Sequence, residues 1–442
     1  MTLVEKAPSS ATDVVECDVA VVGGGPAGIA AAARAAESGA GTLLIDQGVH
    51  PGGQVWRHRN EADLPHVARR WIERLGRSGA RVMTQSAVTD ATPDGLLRVV
   101  RGRAGMSVRA GTVVIATGAR ELFIPYPGWT LPGAMGIGGG QAMLKGGLDV
   151  RGRRAVVAGS GPLILPVAAA MARSGALLQG VLEQASVGRL ASFGTSLLRH
   201  PSKLIDGARY RSAFACTAYR TGSWIVRAEG DGRVERVVMT DGKRSWSREC
   251  DLLCCSYGLV PNVDLASLLG CVIDDGRVVV DDWQRTSVAR ILAAGEPTGI
   301  GGELAALTEG QIAGLVAAGR NPAGEAALTR GRSSWLRFSG QLATSFALRD
   351  ELRHLAQADT IVCRCEDVPR SRLDPSWTAR QAKLYTRTGM GPCQGAVCGA
   401  ACHFLFGWPA DRVRPPLGAP EVAAVAGSAI ATDAGHPSES RA

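Results

Sequence analysis

The chain has 442 residues, 45% of them hydrophobic and 20% charged, and a net charge of +9. That is more than one hydrophobic core usually organises, so two or three domains are expected, and a disulfide-stapled miniature, a fibrous chain and a wholly disordered one are excluded. The basic residues, all but five of them Arg, are scattered without interleaved aromatics, which argues against nucleic-acid binding, while 57 glycines, nearly twice the ordinary share of ~7%, ask for many tight turns.

Met1 to Asp18 carries Glu5, Asp13 and Glu16 and has no apolar core. This predicts no secretory leader and a cytoplasmic chain, at most peripheral on the inner face of the membrane. Eleven cysteines in such a chain point to metal or redox chemistry more than to structural disulfides.

Cys17 to Val22 reads as a buried parallel strand, followed at once by Gly23-Gly24-Gly25-Pro26-Ala27-Gly28 and an alanine-rich helix. Gly23 permits a tight turn, Gly25 leaves room for a pyrophosphate, and Gly28 lets the helix pack close to the strand. The helix that opens at Pro26 supplies unpaired N–H groups at its N-terminus, from Ala27 onward, and a positive dipole end. A second strand, Gly41 to Ile45, ends at Asp46, 23 residues after Gly23, where a carboxylate can accept hydrogen bonds from an adenosine ribose. An acid there disfavours a 2′-phosphate, and both FAD and NAD satisfy it.

Pro51-Gly52-Gly53-Gln54, Val113 to Gly118 (VVIATG) and Ile291 to Gly302 (ILAAGEPTGIGG) resemble elements of the two-dinucleotide flavoproteins. In those proteins the late Gly-acid pair, here Gly295-Glu296, binds the ribityl chain. Glu296 departs from the usual Asp by one methylene. Residues between the early and late segments then form an inserted second domain.

That insertion repeats the pattern in weaker form. Arg154 to Ala158 reads as a strand, then come Gly159-Ser160-Gly161-Pro162-Leu163-Ile164, a helix, a strand at Leu177 to Leu182 and Glu183, 24 residues after Gly159. Ile164 holds the third glycine position, and Pro166 fits only within a first helical turn. A vestigial or differently occupied domain is expected here in preference to an NAD(P)H site. The charge-free run Ala155 to Ala172 is broken by Gly159, Gly161, Pro162 and Pro166, so it reads as strand, turn and helix and not as a membrane span. Cys254 and Cys255 are adjacent, not spaced as a redox pair, and point to opposite faces of a strand. With Cys17, Cys216, Cys250 and Cys271 they read as small buried or partly buried hydrophobes.

Cys363-Arg364-Cys365 and Cys393-Gln394-Gly395-Ala396-Val397-Cys398 are two close pairs within 36 residues. Four thiolates without a histidine suit a [2Fe–2S] cluster or a structural zinc, and the redox context favours the cluster. Cys402 and His403 read as packing residues. QLATSFALRDELRHLAQA, residues 341–358, has near-helical spacing.

Gly128-Trp129-Thr130-Leu131-Pro132-Gly133-Ala134-Met135, Gly138-Gly139-Gly140-Gln141, AGSGPLILPVAA from Ala158, VCRCEDV and TRTGMGPCQGAVCG together resemble the FAD-type subunit of heteromeric amino-acid and opine dehydrogenases. The family includes the opine oxidase A subunit, the hydrogen cyanide synthase B subunit and the hydroxyproline dehydrogenase alpha subunit, and the resemblance covers about residues 15 to 415. The C-terminal module is similar to bacterioferritin-associated ferredoxin, with a wider second cysteine pair.

The resemblance implies an α/β fold: two glutathione-reductase-like Rossmann domains followed by a ferredoxin-like [2Fe–2S] domain. The expected limits are 15–125 plus 275–325 for the nucleotide domain and 126–274 for its insertion. A helical linker at 326–358, a cluster domain at 359–410 and a flexible tail or partner-docking arm at 411–442 complete the chain. The resemblance also implies FAD, or another adenine nucleotide, held by the first glycine turn with Asp46, Gln47, Gly53, Gln54, Val88, Ala116, Thr117, Gly118, Gly295 and Glu296. A lower-ranked second nucleotide site would use Gly159, Gly161 and Glu183. The cluster falls to Cys363, Cys365, Cys393 and Cys398, and an FMN lies at a subunit interface in some relatives.

The implied partners are a D-amino-acid-oxidase-like flavoprotein subunit that oxidises the amine, a small ferredoxin-like subunit, and a downstream single-electron acceptor. In keeping with this, the sequence shows no nucleophile–base pair and no paired carboxylates. Two other readings stay open: an NAD(P)H-dependent ferredoxin or nitrite-type reductase, and a scaffold whose nucleotide and cluster are structural.

Overall fold

The computed structural model describes residues 14–409, 413–421 and 424. The first strand, β1 (Val14–Val22), is buried over its apolar end and leads through the glycine turn into α1 (Pro26–Glu37) and β2 (Thr42–Ile45). α2 (His66–Arg77) and β3 (Arg81–Met83) follow, then an antiparallel excursion through β4 (Ala87–Ala91), β5 (Leu96–Arg101) and β6 (Ala104–Ile115). The sheet order is β3-β2-β1-β6-β5-β4, with β1, β2, β3 and β6 parallel. β6 thus runs beside β1 and delivers Ala116 to the glycine turn: its amide donates to Val22 O at 2.8 Å.

The chain leaves through β7 (Ala119–Glu121). It builds β8 (Ala134–Met135), α3 (Ile137–Lys145), β9 (Arg154–Gly159), α4 (Ile164–Arg173), β10 (Leu177–Glu183), α5 (Val187–Ser196), α6 (Pro201–Ser212) and β11 (Tyr219–Thr221). An antiparallel meander, β12 (Trp224–Glu229), β13 (Arg236–Thr240) and β14 (Ser245–Glu249), precedes β15 (Leu252–Ser256). The five-stranded order β11-β10-β9-β15-β8 is parallel throughout, as expected of strands joined by crossovers. The chain returns through β16 (Leu259–Pro261), which pairs antiparallel with β7, so exit and entry run side by side.

Beyond that crossing come α7 (Asp264–Leu268), β17 (Ile273–Asp274), β18 (Arg277–Val278), β19 (Ile291–Ala293), which extends the first sheet from β6, and α8 (Glu303–Ala317). Leu265, Ala266, Leu269 and Cys271 are buried with Ala20, Leu43 and Ile115 in the core of the first domain. The insertion therefore closes at Pro261, ahead of the expected limit at 274, because Leu265, Ala266, Leu269 and Cys271 are buried in the first core.

The C-terminal part comprises α9 (Ala326–Ser345), β20 (Ile361–Cys363), β21 (Val368–Pro369), α10 (Ala379–Thr386) and α11 (Cys398–Phe406). In place of the helix expected through 341–358, α9 ends at Ser345 and residues 350–354 form a separate 3₁₀ turn. Of the expected tail, residues 413–421 and 424 are described, and the rest lie outside the described residues. The Leu417 amide donates to Thr89 O of β4 at 2.6 Å, and Gln394 of the cysteine loop bonds Pro416 O and the Gly418 amide at 3.2 and 3.0 Å. This stretch thereby lies between the first domain and the cysteine module. Among the described residues no helix is long and apolar enough to cross a membrane.

Candidate functional site

The first glycine turn is shaped by three different constraints. Gly23 has φ +108°, and a Cβ there would lie 2.2 Å from Ala116 O; a Cβ on Gly28 would lie 1.7 Å from Gly23 O. Neither position tolerates a side chain. A Cβ on Gly25, by contrast, would meet nothing within 4 Å, so its face is open space. Pro26 opens α1 and has no N–H to satisfy, and the amides of Gly25, Ala27 and Gly28 have no partner among the described residues. Open space beside unpaired donors at a helix N-terminus is the chemistry of a phosphate site.

Asp46 closes one side. Its buried carboxylate accepts from the amides of Gly24, Gln47 and Gly48, and burial nevertheless raises its carboxyl above the usual range. Gly53 packs so near the turn that its Cβ would lie 2.9 Å from Gly25 Cα, and the Gly52 amide donates to Gly24 O at 2.7 Å. Gln47 and Gln54 are exposed at the rim. Val88 lies on β4 opposite Val99, two residues beyond Ser86, whose amide reaches Asp46 O at 2.9 Å. Thr117 and Gly118 pin the crossing: Thr117 Oγ1 donates to Asn262 O at 2.7 Å and the Asn262 amide to Gly118 O at 2.9 Å.

The late segment reaches the same turn. Gly295 has φ +78°, and its Cβ would lie 2.7 Å from Ala27 Cβ; Gly310 and Gly314 of α8 face Ala27 O and Ala31 O as closely, at 2.2 and 2.3 Å. Helices α1 and α8 are therefore packed through small residues. Glu309, not singled out in the sequence, is buried on α8 and accepts from the Gly295 amide at 2.8 Å and Thr298 Oγ1 at 2.9 Å. It fixes the turn that carries Glu296. A carboxylate in mid-helix reads as a solvent-facing residue, so spacing gives no sign of this role. Glu296 sits between buried Gly295 and Pro297, has no side-chain hydrogen bond among the described residues, and is pushed by desolvation up to about 7. Trp56 is buried and donates from Nε1 to Glu303, the first residue of α8, at 3.0 Å.

The second glycine turn differs at each of these points. Gly159 is as constrained as Gly23, with φ +142° and a Cβ 1.6 Å from Ser256 O. Ile164 is buried at the first residue of α4, and Pro166 falls inside that helix's first turn, where it is tolerated. Glu183 is fully buried and accepts from the Gly161 and Ala185 amides, both at 2.8 Å, and burial pushes its carboxyl up to about 7. The Ile164 and Leu165 amides close onto Gly161 O and Pro162 O, both at 3.2 Å.

The C-terminal cysteines meet around a cavity of about 100 Å³ lined by Cys363, Cys365, Cys393, Cys398, Trp129 and Val397. Their sulfurs lie in two pairs: Cys363 shares a hydrogen bond with Cys398, and Cys365 with Cys393. The Gly389 amide points at Cys363 Sγ from 3.5 Å, and a Cβ on Gly391 would lie 2.3 Å from Cys365 Cβ. Among the described residues no three Cys, His, Asp or Glu side chains gather as the ligands of one metal ion. Cys402 is buried beside Cys398, and His403 Nδ1 is 2.8 Å from Trp408 O, both as packing residues.

A family model described as pyridine nucleotide-disulphide oxidoreductase matches residues 17–318, from the first strand through α8. The chain belongs to this family. The opine oxidase A subunit of Rhizobium meliloti is 31% identical, covering 90% of this chain and 96% of its own length. The HcnB subunit of hydrogen cyanide synthase from Pseudomonas aeruginosa is 30% identical, at 91% and 94%. This oxidoreductase is thus grouped with proteins named as subunits of larger enzymes. An L-proline dehydrogenase from P. horikoshii shares the fold, with a TM-score of 0.66 and 21% identity over 93% of this chain and 80% of that one. T. acidophilum thioredoxin reductase matches 69% of this chain and 98% of its own at a TM-score of 0.54 and 21% identity.

In this pyridine nucleotide-disulphide oxidoreductase all eleven cysteines are unpaired. Cys254 and Cys255 are buried on opposite faces of β15, in separate cores, and desolvation pushes both thiols up, Cys255 to about 12. They form no redox pair. Cys216, expected to be partly buried, is exposed.

Proposed function

We propose that the chain is the flavin and iron–sulfur electron-transfer subunit of a heteromeric dehydrogenase that oxidises a C–N bond of an amino acid, imino acid or opine on a partner flavoprotein subunit. The observation that carries this reading is the combination, in one chain, of an open glycine turn with three free amides and a cavity walled by two cysteine pairs. The family and the names of its members support the coarser half, a flavin-dependent oxidoreductase subunit with partners.

The residues fit FAD. Gly25, Ala27 and Gly28 offer donors to a pyrophosphate, Asp46 offers acceptors to a ribose, and Glu296 offers a desolvated carboxyl free of other partners. Near neutral pH the Glu296 carboxyl can hold a proton on Oε and donate it in a hydrogen bond, or accept one when ionised. The cysteine cavity fits a [2Fe–2S] cluster better than a single zinc, because two thiol pairs facing across a void match two ligands on each of two irons. The Gly389 amide turned toward Cys363 Sγ is suited to thiolate charge. When bound, FAD stores an electron pair and a [2Fe–2S] centre passes electrons singly, toward an acceptor such as a quinone or cytochrome. The chain's own contribution is to hold, orient and shield the two groups, while amine recognition falls to the partner.

Cofactor analysis of the chain co-purified with its partner tests this. Flavin, with two irons and two labile sulfides per cluster, is the expected content, and Cys393→Ser should abolish the iron and sulfide while leaving the complex assembled. Stoichiometric zinc in place of iron would overturn the cluster assignment. Loss of assembly in the variant would favour a scaffold.

A further inference from the structure

We propose that the second glycine turn is a docking socket for the chain's own linker, residues 346–349, and that this contact closes the inserted domain to pyridine nucleotides. The proposal uses contacts within the chain alone, so its failure would leave the cofactor reading in place.

Two buried polar side chains at the mouth of the second Rossmann-like domain are aimed at linker carbonyls. Ser160, next to Gly159, donates from Oγ to Phe346 O at 3.1 Å. Gln184, next to Glu183, donates from Nε2 to Ser160 Oγ at 2.9 Å, to Ala347 O at 3.3 Å and to Phe346 O at 3.4 Å. Arg189, at the start of α5, donates to Ala347 O at 2.7 Å. These residues surround the ends of β9 and β10, where an open α/β sheet presents its ligand crevice.

The side chains of the linker complete the seat. The Phe346 ring packs edge-on against Phe193 at 5.1 Å. The Arg349 guanidinium lies 3.9 Å from the centroid of Trp224 and donates to Gly222 O at 3.4 Å. The acceptors offered by the peptide replace, in chemical kind, the oxygens of a dinucleotide, and two of the three amides equivalent to those left free in the first turn, those of Gly161 and Ile164, are already used. The Gly161 amide is held by Glu183, and those of Ile164 and Leu165 are held within the turn.

The same contact explains why α9 stops at Ser345 although helical spacing continues: the Phe346 and Ala347 carbonyls turn into the socket and cannot continue a helix. Contacts just beyond it hold the cysteine module. Arg353, four residues past Arg349, covers the Phe404 ring at 4.4 Å and bonds Phe404 O, while Trp129 Nε1 donates to Ile361 O at 2.6 Å. The domain that in relatives of this fold would carry a nucleotide here carries the hinge of the redox module.

The test is made on the full-length chain with its partner. Titration with NADH and NADPH, followed by nicotinamide fluorescence, should show no saturable binding below ~1 mM. Hydrogen exchange should show residues 346–352 protected to the same degree with and without nucleotide. In Phe346→Ala/Arg349→Ala that peptide should exchange at least about tenfold faster, equivalent to ~1.4 kcal/mol of local opening. Saturable NADH binding well below ~1 mM, or a wild-type linker that exchanges as an unprotected loop, would overturn the proposal. So would a folded double variant with unchanged exchange. The first two measurements hold even if the variant fails to fold.

Discussion

Gly-Gly-Gly-Pro-Ala-Gly at 23–28 and Gly-Ser-Gly-Pro-Leu-Ile at 159–164 open two parallel sheets in the same way, and each is followed by a buried acid at the end of the next strand. Their donors are nonetheless disposed oppositely. Asp46 takes the Gly24 amide and leaves that of Gly25 free; Glu183, one methylene longer, takes the Gly161 amide, which corresponds to Gly25. Gly28 lets α1 approach to where a Cβ would touch Gly23 O, while Ile164 fills the equivalent place with a buried side chain. The glycines that make the turn do not by themselves make a nucleotide site. What decides it is which amides the neighbouring acid consumes and whether anything else occupies the mouth.

Exchanging features between the turns should break this comparison most strongly. Gly28→Ile places a side chain inside the van der Waals radius of Gly23 O, and a loss of ~4 kcal/mol or more is expected, read as insoluble or colourless protein. The reverse exchange, Ile164→Gly, should cost about 3–5 kcal/mol in denaturant unfolding through the cavity and the helix glycine, and should still confer no NADH binding.

Gly25→Ala sharpens the comparison. Its φ of −75° suits alanine and no protein atom lies near the new methyl, so stability should stay within ~0.5 kcal/mol while flavin retention falls at least about tenfold.

Glu183 offers a test by pH. Its folded value near 7 exceeds the ordinary 4.5, so the folded state binds the extra proton between these values and stability falls as pH rises across that window. The penalty is of order 3 kcal/mol and is complete above about pH 7. Glu183→Gln should reduce the fall across that window, leaving the share due to Glu296, which titrates over the same range. An unchanged profile would mean that the acid is not the buried, amide-bound group described.

Much of the nucleotide domain is legible in the sequence because its elements are local. A strand, a glycine turn and an acid at a fixed distance can be read from one window, and so can two close cysteine pairs. The unread features depend on long-range partners. Residues 262–274 are apolar enough to suit either core, and their burial beside Leu43 and Ile115 follows from the β7–β16 crossing, which no local pattern marks. The break at Phe346 is imposed by Ser160, Gln184 and Arg189, more than 150 residues earlier. Glu309 has ordinary helical spacing and acquires its role only when α8 lies under Gly295.

On the proposed function, the cofactors held by the first turn and the cysteine module carry electrons that do not come from a pyridine nucleotide. Anaerobic titration of the purified complex, followed by flavin and iron–sulfur absorption, tests it most directly. Bleaching by an amino acid or opine, with no change on adding NADH or NADPH, is the predicted result; bleaching by NADH in the absence of any amine would contradict it.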